Sequence, residues 1–249
     1  EQIDIFTGVR RMEFDDAKAQ GLIEIMGAET DERFMSHVMA MVNDRESMAK
    51  VADTFHMVYT PFHGCGWKLV PEALRGLGVK HLHCVPEQMV LDGSFPTVVS
   101  PNPENPEGFY LAIQLADKVG ADFILGTDPD SDRVGIMVRN KSGEFEPVTG
   151  NQTGVLLLDY ICQGRIEKGT MPKRPVAVKS LVSTPLADIV AADYGVEMRN
   201  VLTGFKWIGD QIANLEAAGE VDRFIFGFEE SYGYLAGPYV RDKDAVIGS

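Results

Sequence analysis

Apolar residues in this chain follow two spacings, one typical of buried strands and the other of amphipathic helices. Because the two kinds of element alternate twice, the sequence predicts two consecutive α/β domains of about 100 residues each. Strands are predicted at 3–6, 56–60, 81–85, 121–125, 134–138, 175–182, 196–202 and 223–228. Helices are predicted at 31–51, 106–119, 151–163, 184–194 and 207–218, and one further helix has Pro71 near its start.

The predicted elements divide the chain into three parts. Residues 1–30 resemble the tail of a preceding domain, since the chain opens in mid-pattern without a methionine. Residues 31–148 then form the first α/β domain and residues 149–249 the second, with the boundary near the turn-forming Pro147 and Gly150.

Composition excludes several classes of function. The net charge of −14, from 37 acidic and 23 basic residues, argues against nucleic acid as a general partner. No apolar run approaches the roughly 18 residues of a membrane span, and no signal peptide is evident, so we expect no membrane association. The three cysteines, Cys65, Cys84 and Cys162, are odd in number and widely spaced, which is typical of reduced thiols in a cytoplasmic protein.

The stretch with the clearest chemistry is the Asp loop, which follows the apolar strand at 121–125. After Gly126 it carries Asp128, Asp130 and Asp132 at alternate positions, with Arg133 directly behind them. Such close carboxylates repel one another unless a cation lies between them, and hard oxygen ligands suit Mg²⁺ or Ca²⁺. The strand end of an α/β sheet is also where ligands bind. The sequence therefore predicts a divalent cation site here, against the alternative of an ordinary Asp-rich turn.

An EF-hand is excluded as the form of this site. That motif needs Gly at the sixth position and Glu at the twelfth, where this chain has Arg133 and Arg139.

Two further loops are candidate substrate contacts. In the loop at 202–208, Gly204 permits close approach of the backbone to a ligand, and Lys206 offers a cation for a phosphate. In the loop at 227–233, Glu229 and Ser231 can accept from and donate to the vicinal hydroxyls of a sugar. Plain turns are the alternative interpretation of both loops.

The remaining reactive residues are interpreted as structural. His63 is expected to stabilise its loop, and Cys65 lacks a dedicated base apart from that histidine. The other histidines, His37, His56, His81 and His83, show no metal-ligand spacing.

Five motifs together resemble the α-D-phosphohexomutases, the phosphoglucomutase and phosphomannomutase family. They are TPFHGCG (60–66), PNPENPEG (101–108), GTDPDSDR (126–133), LTGFKWIG (202–209) and FGFEESYGYL (226–235), in the family's order and most similar to its phosphoglucomutase branch. The resemblance covers essentially the whole chain and implies that it matches the second and third of four domains, each an α/β domain with a mixed sheet.

The resemblance also implies roles for individual residues. The first α/β domain binds Mg²⁺ through Asp128, Asp130 and Asp132, and Arg133 helps to hold the phosphoserine region. The second binds the sugar. A lysine proposed as a proton-transfer group in some members matches Lys243, and the sugar-binding positions match Thr203, Gly204, Phe205, Lys206, Glu229 and Ser231.

The implied activity is interconversion of hexose 1-phosphate and 6-phosphate in carbohydrate metabolism, through a phosphoserine and a bisphosphorylated sugar. The family's Ser-His-Asn-Pro motif and its phosphate-gripping fourth-domain loop are absent from these 249 residues. We therefore expect the chain to need N- and C-terminal domains of the same polypeptide as partners and to be inactive alone.

Two alternatives stay open at this point. A haloacid-dehalogenase-type phosphatase would use Asp128 as nucleophile and Asp130 as acid, but Asp132 stands where Thr is usual. The other alternative is a non-catalytic module that binds a sugar phosphate in a Mg²⁺-dependent manner.

Overall fold

The computed structural model describes residues 4 and 6–249, which fall into two compact units. The first unit ends at Phe34, and the second, Met35–Ser249, holds both sheets. The strand predicted at 3–6 lies outside the described residues except for Asp4 and Phe6, neither of which is in a strand.

The strands lie in two mixed sheets, as the resemblance implied. The strands are β1 (His56–Thr60), β2 (His81–Cys84), β3 (Phe123–Thr127), β4 (Val134–Arg139), β5 (Phe145–Val148), β6 (Val176–Ser180), β7 (Glu197–Val201), β8 (Phe224–Glu229) and β9 (Gly233–Ala236). The first sheet has the order β2-β1-β3-β4-β5, in which β1 is parallel to β2 and β3, β4 is antiparallel to β3, and β5 is antiparallel to β4. The second has the order β7-β6-β8-β9, in which only β9 is antiparallel to its neighbour.

The helices agree with the sequence prediction at most positions. They are α1 (Phe14–Ala19), α2 (Ala28–Ala40), α3 (Arg45–Val51), α4 (Leu69–Leu77), α5 (Tyr110–Val119), α6 (Gly150–Glu167), α7 (Leu186–Asp193), α8 (Lys206–Ala217) and α9 (Ala245–Gly248). Before α7, the Thr184 hydroxyl accepts from the Leu186 amide at 3.2 Å. Pro185 is the N-cap of the helix, which begins at Leu186.

The continuous helix predicted at 31–51 was wrong. The chain instead forms α2 and α3, because Asp44 caps a new helix and accepts from the Ser47 amide at 2.9 Å. Helix α2 also begins earlier than predicted, at Ala28.

Each sheet has its own apolar core. Phe62 and Phe109 pack edge to face at 5.0 Å in the first core, beside Val58 and Ile124. On α5, Ala112 and Ala116 are fully buried, and the partly buried Leu111, Ile113 and Leu115 pack against this core. The second core lies between β6, β8 and α8. Among the described helices, none combines the length and the hydropathy needed to cross a bilayer.

We expect Gly154→Ala to test the packing of α6 on β8. A β-carbon there would lie 2.3 Å from the ring of the fully buried Phe228, so the helix must move away from the strand. This overpacking should lower the free energy of unfolding by about 1–3 kcal/mol, outweighing the helix-propensity gain of up to about 1 kcal/mol.

The matched control is Gly76→Ala in α4, where the nearest atoms, on Met39, lie at an ordinary 3.6 Å. Urea unfolding should show no loss of stability for the control. Equal stability of both variants would contradict the described packing.

Candidate metal and substrate site

The Asp loop leaves the end of β3 and turns around the carboxylate of Asp128. This side chain is only 7% exposed, and its Oδ1 accepts from the backbone amides of Asp132 (3.0 Å) and Arg133 (2.9 Å). Ser131 adopts φ +58°, a left-handed conformation uncommon for a residue with a side chain. Asp128 therefore shapes the loop with one oxygen and leaves the other free of backbone contacts.

The three aspartates converge. One carboxylate oxygen from each of Asp128, Asp130 and Asp132 lies within 4.8 Å of the other two. Burial raises the pKa of Asp128 well above its usual range, and the charges of Asp132 and Asp130 raise this pKa further. Oδ1 of Asp132 is buried without a hydrogen-bond partner in the described structure. An orphaned oxygen in a concentrated negative charge fits a hard divalent cation.

Two cations border the cluster. The Arg133 guanidinium lies among three acidic side chains: its Nη1 donates to Glu104 at 3.1 Å, and its Nε is 3.8 Å from Asp128 and 3.7 Å from Asp132. Lys243 reaches the same cluster from the end of the chain, with Nζ donating to Oδ2 of Asp132 at 2.6 Å. Both predicted catalytic residues are thus beside the aspartates.

The loop at 61–66 packs against the Asp loop. The Cys65 amide donates to the Pro129 carbonyl at 2.8 Å, and a β-carbon on Gly64 would lie 2.3 Å from Cα of Pro129. Only glycine permits this approach of two backbones.

The interpretation of His63 as a structural residue is confirmed. Its ring is buried, with Nδ1 2.9 Å from the Val90 carbonyl oxygen and Nε2 2.8 Å from the Thr97 hydroxyl. Burial and the nearby Asp130 raise the pKa of the Cys65 thiol, whereas cysteine nucleophiles need a lowered pKa.

The loop after β8 also reaches the Asp loop. The Val134 amide donates to the Tyr232 carbonyl at 3.1 Å, and Gly233 pairs antiparallel with Arg133. Further along, the Ala245 amide donates to the Ser131 carbonyl at 3.0 Å. These backbone bonds join the second sheet's loops to the Asp loop and to Val134, the residue after it.

The predicted sugar contacts include one direct link between the two loops. The carboxylate of Glu229 is buried and accepts from the Gly204 amide at 2.6 Å, so the two predicted loops meet. Gly204 has φ +114°, which a side chain would rarely adopt. Around them, Phe205 is buried, Ser231 is half-buried, and Thr203 and Lys206 are exposed, with Nζ of Lys206 lying 5.2 Å from the ring centroid of Trp207.

Sequence reasoning missed the residues that anchor this loop. The Glu230 carboxylate accepts from the hydroxyls of Ser180 (2.7 Å) and Ser183 (3.1 Å), while its amide donates to Ser183 at 3.1 Å. Next to them, the buried Lys179 pairs with Asp188 at 3.2 Å. Ser180 ends β6 and Ser183 follows it, about 50 residues before Glu230, so only the serines at this strand end hinted at the contact.

Comparisons with known proteins match nearly the entire chain. The description "Phosphoglucomutase/phosphomannomutase, alpha/beta/alpha domain II" matches residues 32–143, and "domain III" of the same family matches residues 149–249. A phosphoglucomutase of Staphylococcus epidermidis is 39% identical over 228 residues, which are 91% of this chain and 39% of that protein. The chain thus spans about two fifths of the length of this curated relative.

Solved structures share the fold at lower identity. A putative phosphomannomutase from Thermus thermophilus superposes with a TM-score of 0.65 and 22% identity, over 88% of this chain and 45% of that one. The N-acetylphosphoglucosamine mutase of Aspergillus fumigatus, solved in complex with GlcNAc-6P and magnesium, has a TM-score of 0.52 and 13% identity, over 78% of this chain and 45% of that one. The two domain matches and the curated relative together show that this chain belongs to the α-D-phosphohexomutase family.

Proposed function

We propose that this chain forms the metal-binding and sugar-binding centre of a mutase that interconverts hexose 1-phosphate and hexose 6-phosphate. In this proposal residues 1–30 are the tail of a first domain, residues 31–148 bind the metal and residues 149–249 bind the sugar. The observation that supports it is the convergence of the three Asp-loop carboxylates within 4.8 Å, beside a loop that carries Glu229.

The proposed metal is Mg²⁺, held by Asp128, Asp130 and Asp132. Carboxylate oxygens are its preferred protein ligands, and an A. fumigatus mutase of the same fold was solved with magnesium. Bound Mg²⁺ would neutralise charge on a phosphoryl group in transfer. Asp128 contributes to this site twice, because one of its oxygens fixes the loop through two backbone amides.

The two cations beside the site receive different roles. Arg133 is fixed by Glu104 and lies within 4 Å of two aspartates, so its guanidinium is positioned to hold a phosphorylated serine next to the metal site. Lys243, hydrogen-bonded to Asp132 through Nζ, is proposed to transfer a proton to or from the reacting sugar hydroxyl.

The sugar-reading residues lie on the adjacent loops. Glu229 and Ser231 are proposed to bind hydroxyls of the sugar ring. A carboxylate accepts hydrogen bonds from such hydroxyls, and a serine hydroxyl can both donate and accept them. The Gly204–Glu229 hydrogen bond fixes one loop relative to the other. The exposed Thr203 and Lys206 can then sense the orientation of the sugar, while the buried Phe205 holds their loop against the second core.

Turnover needs two more parts, a phosphoryl donor and a grip on the distal phosphate. The donor motif Ser-His-Asn-Pro does not occur in these 249 residues. We therefore propose that the reaction proceeds through a phosphoserine and a bisphosphorylated sugar only together with N- and C-terminal domains, and that the chain alone binds its ligands without converting them.

We expect Asp132→Asn to weaken Mg²⁺ binding by at least about tenfold, because it removes a charged ligand and the orphaned oxygen's negative charge. Isothermal titration calorimetry measures this directly. Asp122→Asn is the matched control, since it removes the same charge from an exposed carboxylate that pairs with Arg139. Equal Mg²⁺ affinity in both variants would contradict the metal site.

We expect Glu229→Gln to weaken the binding of glucose 1-phosphate at saturating Mg²⁺ by about tenfold, because a charge-assisted hydrogen bond to the sugar is lost. Glu72→Gln, an exposed position in α4, is the control. Unchanged sugar affinity in the Glu229 variant would refute its proposed role.

The unmodified chain also separates the proposal from the phosphatase alternative. After incubation of this chain with Mg²⁺ and glucose 1-phosphate, we expect the substrate to remain unconverted. A covalent phosphate on Asp128, detected by mass spectrometry, would favour a phosphatase instead.

A further inference from the structure

Three histidines from separate parts of the chain lie together at the edge of the first sheet. His56 opens β1, and His81 and His83 lie on β2, the edge strand. Parallel pairing sets His56 beside His81 and Val58 beside His83. Because side chains alternate along a strand, all three imidazoles project from one face of the sheet.

Two of the imidazole nitrogens are at chelating distance. Nδ1 of His56 and Nε2 of His83 are 3.4 Å apart, which is long for a hydrogen bond between nitrogens. Zinc binds imidazole at about 2.0–2.1 Å in tetrahedral geometry, so two such nitrogens lie about 3.3–3.4 Å apart around one ion. The observed separation therefore matches that of two imidazole nitrogens bound to one zinc ion.

We propose that His56 and His83 form a binding site for a borderline divalent transition-metal ion, with Zn²⁺ as its reference ligand, separate from the aspartate site. Water molecules complete the coordination, because all three histidines are only partly buried and the strand is at the sheet edge. An ion there would cross-link β1 to β2.

His81 is a positioning residue for this site. Its ring stacks on His56 with centroids 4.2 Å apart and planes 6° from parallel, and its Nε2 lies 3.2 Å from the Asp53 carbonyl oxygen. A donor bond to that oxygen fixes the His81 ring, which in turn restricts the rotation of His56.

The chemistry of the ligands separates the two metal sites. Imidazole prefers zinc, copper and nickel, whereas carboxylates prefer magnesium.

The test is a calorimetric titration of the full chain with Zn²⁺, carried out in an Asp132→Asn background that weakens the carboxylate site. We expect the Asp132→Asn chain to bind one equivalent of Zn²⁺. A further His83→Asn or His56→Asn substitution should weaken this Zn²⁺ binding at least about tenfold. His37→Asn, in α2, is the control that should leave binding unchanged. A Cu²⁺ spectrum with hyperfine coupling to two nitrogens would support the same assignment, and circular dichroism verifies that each variant is folded.

Specific results would overturn the site. No zinc binding in the Asp132→Asn background, or undiminished binding after both histidine substitutions, contradicts it. So does loss of binding on Cys84→Ser alone, which would assign the metal to the neighbouring thiol. Because this titration follows the histidine ligands in a chain whose aspartate site is weakened, failure here leaves the proposed mutase function untouched, and the Mg²⁺ titration decides that question independently.

Discussion

Repulsion among three carboxylates is the constraint on which the centre of this structure depends. Asp128, Asp130 and Asp132 bring oxygens within 4.8 Å of one another, one of them on a nearly buried side chain. Such an arrangement is costly unless cations offset it. Arg133 and Lys243 offset part of the charge, yet Oδ1 of Asp132 remains without a hydrogen bond among the described residues. The remaining charge is what a divalent cation would neutralise.

The surrounding loops hold this arrangement in place. In the loop at 61–66, the Cys65 amide donates to the Pro129 carbonyl. On the side of the second sheet, the Ala245 amide donates to the Ser131 carbonyl, and the Tyr232 carbonyl accepts from the amide of Val134, the residue after the Asp loop. A metal ligand set fixed by backbone contacts from several elements requires little reorganisation on binding. The loop at 227–233 is fixed through its carboxylates. That of Glu230 accepts from two serine hydroxyls, and that of Glu229 accepts from the Gly204 amide.

Much of this could be predicted from the sequence because the signals were local. A strand followed at once by alternating aspartates identified the Asp loop as the candidate cation site, and strand–helix alternation identified both α/β domains. The break between α2 and α3 was missed because apolar spacing continued through a cap at Asp44. The anchors Ser180 and Ser183, and the side-chain contact between His56 and His83, could not be predicted, since each depends on how elements far apart in sequence pair in the sheets.

The most direct measurement is anomalous diffraction from a crystal of this chain soaked in Mn²⁺, which occupies the same oxygen sites as Mg²⁺. The account predicts one strong peak in the Asp loop, about 2.0–2.4 Å from an oxygen of each of Asp128, Asp130 and Asp132. A loop with no peak, or a peak bound by only one of the three aspartates, would contradict it.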